Sequence, residues 1–291
     1  MNGYRALRIR ELLEPGGLDA AAMRAIQLDV ECPPARRVRG LLADLELCEG
    51  AVEVARTRLV GWDARMTADT EEPLLYEAFC RALLEHALRP LCGEHWRILA
   101  GRDGEHPVLE YPGNILGRLL PSLLERWGEH DESLFEGTTT WAEVARRSLA
   151  GAAAEVAERP AAERTWGEAH RLRLVHPLAR AVRALGPLLN LGSFPMGGNG
   201  DTVMATSHHP DHPYATALWA PSWRQVLDPS DWDASTGVHL GGQSALVSSP
   251  HRCDQITDWL HNRQHRLCWS PAAVEAVTRD TLVLAPEGAP A

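Results

Sequence analysis

Gly197-Gly198-Asn199-Gly200-Asp201-Thr202 opens a stretch that runs to Trp259 through Gly241-Gly242-Gln243-Ser244 and Ser249-Pro250-His251-Arg252-Cys253-Asp254-Gln255. Upstream of it, apolar residues recur at helical spacing. From it onward, short β-type runs alternate with Pro, Gly, Asp and Ser clusters. This change of texture, which begins after Pro187, sets the fold class as α+β, helices first and antiparallel strands last. We place the boundary between a helix-rich part, 1–195, and a strand-rich part, 196–291. Strands are expected at about Val203–Thr206, Tyr214–Trp219, Arg224–Leu227, Gly237–Leu240, Ser244–Val247, Arg266–Trp269 and Thr281–Leu284, with a helix at Cys253–His261.

Leu7, Ile9, Leu12 and Leu13 mark a first helix that Pro15-Gly16-Gly17 stops. Asp19 is placed to cap a second, with Met23, Ile26 and Val30 on one face. Pro33-Pro34 is expected to break the chain before a helix at about Arg36–Leu47, and another follows at Ala51–Val60. A long helix runs from Glu72 to Arg89, ended by Pro90 and Gly93, and another spans Ile115–Trp127. Thr140 with Glu143, and Thr165 with Glu168, have capping-box spacing. Ser270-Pro271 reads as a helix start with Pro at the first helical position. No sheet is expected in the helix-rich part.

The 291 residues carry 29 basic and 39 acidic side chains, a net charge of -10. That argues against a nucleic-acid groove or an anionic membrane surface as partner. No apolar run is long enough to span a bilayer, and no signal peptide is visible at Met1-Asn2-Gly3-Tyr4-Arg5. The cysteines Cys32, Cys48, Cys80, Cys92, Cys253 and Cys268 form no C-x-x-C pair, so thiols outside any framework are the better reading.

Several constellations carry potential chemistry. His208 and His212 have the i, i+4 spacing of a helical metal pair, but Pro210 and Pro213 forbid a regular helix, and a solvated loop fits better. Gly197–Thr202 is Gly-rich like a phosphate loop, yet no Lys follows; a tight turn into a strand, with Asp201 or Thr202 bonding the backbone, fits better. Ser244 sits in half of a G-x-S-x-G elbow, with Leu246 where the second Gly belongs. His251 and Asp254 lie nearby but cannot make a triad at i, i+3 alone; His251 is expected to be a buried hydrogen-bonding residue. No metal site and no cofactor site is assigned in the chain.

Taken in order, the pieces resemble the C-terminal part of the β subunit of the penicillin acylase (penicillin amidase) family, within the N-terminal nucleophile hydrolases. The carrying residues are Tyr4-Arg5-Ala6-Leu7-Arg8-Ile9, Gln27-Leu28-Asp29-Val30, Trp62-Asp63-Ala64-Arg65-Met66, Thr165-Trp166-Gly167-Glu168-Ala169-His170, His176-Pro177-Leu178, Gly197–Thr202, Arg224-Gln225-Val226-Leu227-Asp228, Gly242-Gln243-Ser244, Ser249-Pro250-His251, Asp254-Gln255 and Trp259. The resemblance implies part of an αββα sandwich. It also implies hydrolysis of N-acylated amines (penicillins, cephalosporins, acyl-homoserine lactones) through an acyl-Ser intermediate, with an α-amino group as base and an Asn in the oxyanion hole. The nucleophilic Ser and the oxyanion Asn are expected outside this chain. Of the family's active-site residues only the Arg that supports the oxyanion Asn carries over, to Arg5. The implied partners are a missing N-terminal part, an α subunit and a small N-acyl amide; calcium, held by some members, would be bound mostly outside the chain. Ala245 and Arg252 depart from the family's usual Gly and aromatic residue. A catalytically dead remnant serving as a structural or binding subunit is the alternative from another class. An independent hydrolase built on Ser244 or a His208/His212 metal is the third.

Overall fold

The computed structural model describes residues 3–46, 49–96, 113–207 and 220–284, with the backbone alone at 113–117. The chain divides into two compact units: 1–18 with 25–221, and 19–24 with 222–291. Helices make up most of the first unit, and among the described residues every pairing between strands is antiparallel. The α+β class expected from the sequence is the observed one.

The first unit holds α1 (Tyr4–Leu13), α3 (Pro33–Ala43), α4 (Gly50–Gly61) and α5 (Glu72–Cys92), while most of α2 (Ala20–Ile26) belongs to the second. Pro33-Pro34 starts α3 rather than breaking the chain before it. Proline at the first helical positions gives up an N–H that has no intrahelical partner, and both rings are buried. α5 likewise runs past Pro90 to Cys92, where Gly93 at φ +52 donates its N–H to the Arg89 carbonyl and ends it. Then come α6 (Gly113–Gly128) and α7 (Trp141–Glu158). Thr140 caps α7 as expected, its hydroxyl accepting from the Glu143 N–H at 3.3 Å.

The core of this unit lies between α5 and α7. Leu74, Phe79 and Leu83 are buried from one side, Trp141, Ala145 and Leu149 from the other. Trp127 stacks on Trp141 at 6.4 Å, and Phe135 meets Trp141 edge-on at 4.7 Å. The Trp141 indole N–H is satisfied by the Asp131 carbonyl at 2.8 Å.

A short α8 (Trp166–Ala169) leads into β1 (Arg171–Leu174); α9 (Pro177–Ala181) and α10 (Gly186–Leu189) connect it to β2 (Gly192–Pro195). β1 and β2 pair antiparallel, Leu172 opposite Phe194. This ribbon corrects the expectation of a front part with no sheet. Thr165 makes no side-chain cap, against expectation, because the first N–H groups of α8 are taken by another segment: Trp166 N–H by the Thr70 carbonyl and Gly167 N–H by the Ala68 carbonyl. Glu168 instead pairs with Arg171 at 2.7 Å.

The second unit holds β3 (Trp223–Val226), β4 (Thr236–His239), α11 (Ile256–Leu260), β5 (His265–Arg266) and α12 (Pro271–Val277). The sheet order is β3-β4-β5, with Arg224 opposite Val238 and Gly237 opposite His265. Val238, Ile256 and Trp259 form its apolar centre. Ser270 caps α12 through the Ala273 N–H, and Asp19 accepts the Ala22 N–H at 2.7 Å, both as the sequence suggests. The runs at 203–206, 244–247 and 281–284 form no strand, and the helix expected at 253–261 is confined to 256–260. The run at 214–219 lies outside the described residues.

Candidate functional site

The Gly197–Thr202 loop is fixed from within by Asn199. Its side-chain oxygen accepts the N–H groups of Asp201 at 2.9 Å and Thr202 at 3.2 Å, an Asx-type turn that lets one side chain replace two backbone partners. Thr202 completes the turn by accepting the Asn199 N–H at 3.0 Å and donating to the Met204 carbonyl at 2.7 Å. The expected backbone bonding by Thr202 is therefore present, though Asn199 is the larger organiser and residues 203–206 after the loop form no strand. Gly198 sits at φ +77, and a Cβ there would lie 2.2 Å from the Met204 carbonyl oxygen. Only glycine fits that approach.

Three elements of the first unit grip the loop from outside. The Gly198 N–H reaches the Met66 carbonyl at 2.8 Å, and the buried Trp166 indole donates to the Gly198 carbonyl at 2.9 Å. His170 stacks on Trp166 at 4.5 Å and bonds the Thr206 hydroxyl at 2.9 Å, and that hydroxyl donates to the Gly197 carbonyl. From α1, Arg5 donates Nη2 to the Gly200 carbonyl at 2.6 Å. The Arg5 Nε is buried and has no partner among the described residues. Arg8, one turn on, forks onto Asp29 with two 3.0 Å bonds and reaches Glu31 at 2.8 Å. Asp29 in turn gives its carbonyl to the Met204 N–H. Arg5 and the segment after the loop are thus held by one framework.

Beneath the loop, Asn199 donates Nδ2 to the Glu77 carboxylate at 2.7 Å and to the Cys32 thiol at 3.6 Å. Glu77 projects from α5 among the buried Leu74, Tyr76 and Cys80 and keeps only a narrow opening to solvent. Burial pushes its carboxyl up to about 7; the Asn199 hydrogen bond opposes this and the Asp201 charge adds to it. Burial likewise pushes the Cys32 and Cys80 thiols up, so neither is a ready thiolate. Chemically, the assembly offers a cation with a spare donor, Arg5, and a carboxyl that exchanges its proton near neutrality, Glu77. Glu77 is missed by reading for motifs. Its signal is a carboxylate on the apolar face of a helix, with Leu74, Cys80 and Leu84 at i−3, i+3 and i+7.

The other candidates separate. Ser244 accepts the Leu246 N–H on its hydroxyl, and its own N–H goes to the His251 carbonyl. The His251 ring pairs with Asp254 at 2.8 Å. His251 is exposed, with 68% of its side chain accessible, which corrects the expectation of burial. The short 250–252 turn points the ring outward while its carbonyl faces Ser244. His208 and His212 lie outside the described residues. Among the described residues, no group of three or more His, Cys, Asp or Glu side chains converges to hold a metal ion.

The sequence model of the penicillin amidase family matches residues 1–276. The penicillin acylase 2 proenzyme of a Pseudomonas species is 33% identical over 96% of this chain, which spans 35% of that protein. The acyl-homoserine lactone acylase QuiP of Pseudomonas aeruginosa is 26% identical over 77% of this chain and 28% of its own length. Among solved structures, a thermostable penicillin G acylase from Alcaligenes faecalis superposes with a TM-score of 0.55, over 97% of this chain and 53% of that one, at 16% identity. This chain therefore spans about a third of the length of the curated relatives it matches, and it belongs to the penicillin amidase family.

Proposed function

We propose that this chain forms the C-terminal part of a penicillin-acylase-type hydrolase that cleaves the amide bond of N-acylated amines through an acyl-Ser intermediate. The observation that carries this reading is the family match across residues 1–276 together with 33% identity to a penicillin acylase proenzyme. The nucleophilic Ser and the oxyanion-binding Asn come from a part of the protein outside this sequence. Arg5 acts as the positioning residue for that Asn. Its guanidinium is anchored at one end by the Gly200 carbonyl, and its Nε remains as a donor for a side-chain carbonyl. The Asn so held would donate to the oxyanion, and a fixed donor is worth more to the transition state than a mobile one.

Neither Ser244 nor the His251–Asp254 pair takes part. The test is an assay of the purified chain alone with a chromogenic N-acyl amide, with and without added zinc. No turnover is expected. Hydrolysis that disappears on Ser244→Ala would overturn the assignment and make the chain a hydrolase in its own right.

A further inference from the structure

The second unit carries a cleft of roughly 590 Å³ lined by Ser230, Asp231, Trp232, Asp233, Trp269 and Ser270. Two indoles form its walls. Their ring centres are 5.3 Å apart and inclined at 54°, and each residue stays about half exposed, Trp232 at 46% and Trp269 at 56%. Large aromatic faces left in water beside one another mark recognition surfaces more often than packing.

The polar groups of the cleft are held in place. Asp233 accepts the N–H groups of Trp269 at 2.7 Å and Ser270 at 2.9 Å on one carboxylate oxygen. Asp231 accepts the Asp233 N–H at 3.1 Å, and the Leu267 N–H bonds the Ser235 carbonyl at 2.8 Å. The loop carrying Trp232 is thereby stitched to the strand end carrying Trp269, so the walls exist before any ligand arrives. Hydrogen bonds from the Ser270 side chain and from the Trp269 and Ser270 N–H groups hold the Asp233 carboxyl at about 2, ionised at any ordinary pH. Each carboxylate uses one oxygen on the backbone, and none of the six lining residues is basic.

Negative indole faces and two carboxylates outnumber Arg266, the neighbouring cation, whose Nε donates to the Asp233 carbonyl at 2.5 Å, and the balance favours positive charge. We propose that this cleft binds an organic cation, an alkylated ammonium head group lying against Trp232 and Trp269 with Asp231 and Asp233 at its rim. The head group could arrive on a small molecule or on a methylated lysine side chain, and the two arms of the test distinguish them. This site does not depend on the hydrolase reading.

The test is titration of the protein labelled with ¹⁵N at its tryptophan indoles, using choline, an acetylated trimethyllysine amide, and 3,3-dimethylbutan-1-ol as the neutral isostere of choline. The signals of Trp232 and Trp269 are identified by Trp232→Leu and Trp269→Leu, which keep an apolar side chain but remove the π face. Both positions are half exposed, and the remaining indole signals report whether each variant is folded. Saturable shifts of these two signals with at least one cation are expected, at least tenfold tighter than with the alcohol. Binding should weaken at least tenfold in either leucine variant and about threefold in Asp231→Asn, which keeps the loop bond but loses the charge. The tighter of the two cations identifies the source. Absence of saturable shifts with both cations, equal binding of the alcohol, or leucine variants that bind as the parent would overturn the proposal.

Discussion

Asn199 donates its side-chain amide to the Glu77 carboxylate at 2.7 Å while its carbonyl oxygen accepts two backbone N–H groups of the loop that receives Arg5. One buried side chain thus joins α5 to the Gly197–Thr202 loop. Replacing it by alanine strands a buried carboxyl and two loop donors. Asn199→Ala should destabilise the chain by about 2–4 kcal/mol, measured by urea unfolding, whereas Asn199→Asp should be worse at pH 8 than at pH 5 because it sets two carboxylates face to face. Equal stability of Asn199→Ala and the parent would contradict this role.

Glu77 gives the fold a pH dependence of definite sign. Its carboxyl sits at about 7 when folded, against about 4.3 in an unfolded chain. Between those values the folded state binds more protons, so stability falls as pH rises through the interval and stays low above it. Each tenfold change in proton affinity is worth about 1.4 kcal/mol, which sets the loss at roughly 4 kcal/mol or less. Glu77→Gln keeps the bond from Asn199 and removes the titration. The variant should match the parent near pH 4 and exceed it increasingly toward pH 8 in denaturant midpoints.

Gly198→Ala tests the closeness of the loop to its neighbours. The added Cβ would meet the Met204 carbonyl oxygen at 2.2 Å and the Thr202 hydroxyl at 2.9 Å, at a φ of +77. A loss of about 2–4 kcal/mol is expected from strain and displaced hydrogen bonds. Gly200→Ala, where a Cβ would meet nothing within 4 Å, should change the unfolding temperature little.

Arg224 in β3 is buried, lies 4.2 Å over the Trp259 ring and donates to the Trp259 carbonyl at 2.5 Å, while its Nε and Nη2 find no partner among the described residues. Burial alone pulls its guanidinium down to about 10. A buried charge so incompletely answered can be exchanged for an apolar side chain of similar length at little cost. Arg224→Met should therefore lie within about 1 kcal/mol of the parent, while Arg224→Ala, which leaves a cavity against Trp259, should cost about 2–4 kcal/mol. Both are read from unfolding monitored by tryptophan emission.

What the sequence makes legible is local. The caps at Asp19, Thr140 and Ser270 are read correctly because a cap is decided within four residues. Thr165 has the same spacing and makes no cap, since Thr70 and Ala68 reach the helix start from a segment about a hundred residues away. Arg171-Leu172-Arg173-Leu174 shows the alternation of a strand, but its partner Gly192-Ser193-Phe194-Pro195 shows none, so the pair is visible only in space. The same limit applies to the site. Arg5 is singled out by its neighbours in sequence, while its bond to the Gly200 carbonyl is seen only in space. Glu77 could be suspected from its position on an apolar helix face, but its bond to Asn199, 122 residues on, could not.

The central claim, that this chain supplies Arg5 and its supporting loop to an amidase whose nucleophile lies elsewhere, is tested most directly by complementation. The penicillin acylase 2 proenzyme, deleted for the segment that this chain matches, is expressed with this chain and assayed for hydrolysis of an N-acyl amide, with its own deleted segment as the positive control. Hydrolysis should be restored by this chain and fall at least a hundredfold with Arg5→Ala, an effect of about 2.7 kcal/mol or more on the transition state, with Arg5→Lys recovering part of it. Restored hydrolysis that is indifferent to Arg5, or none with this chain while the relative's own segment succeeds, would contradict it.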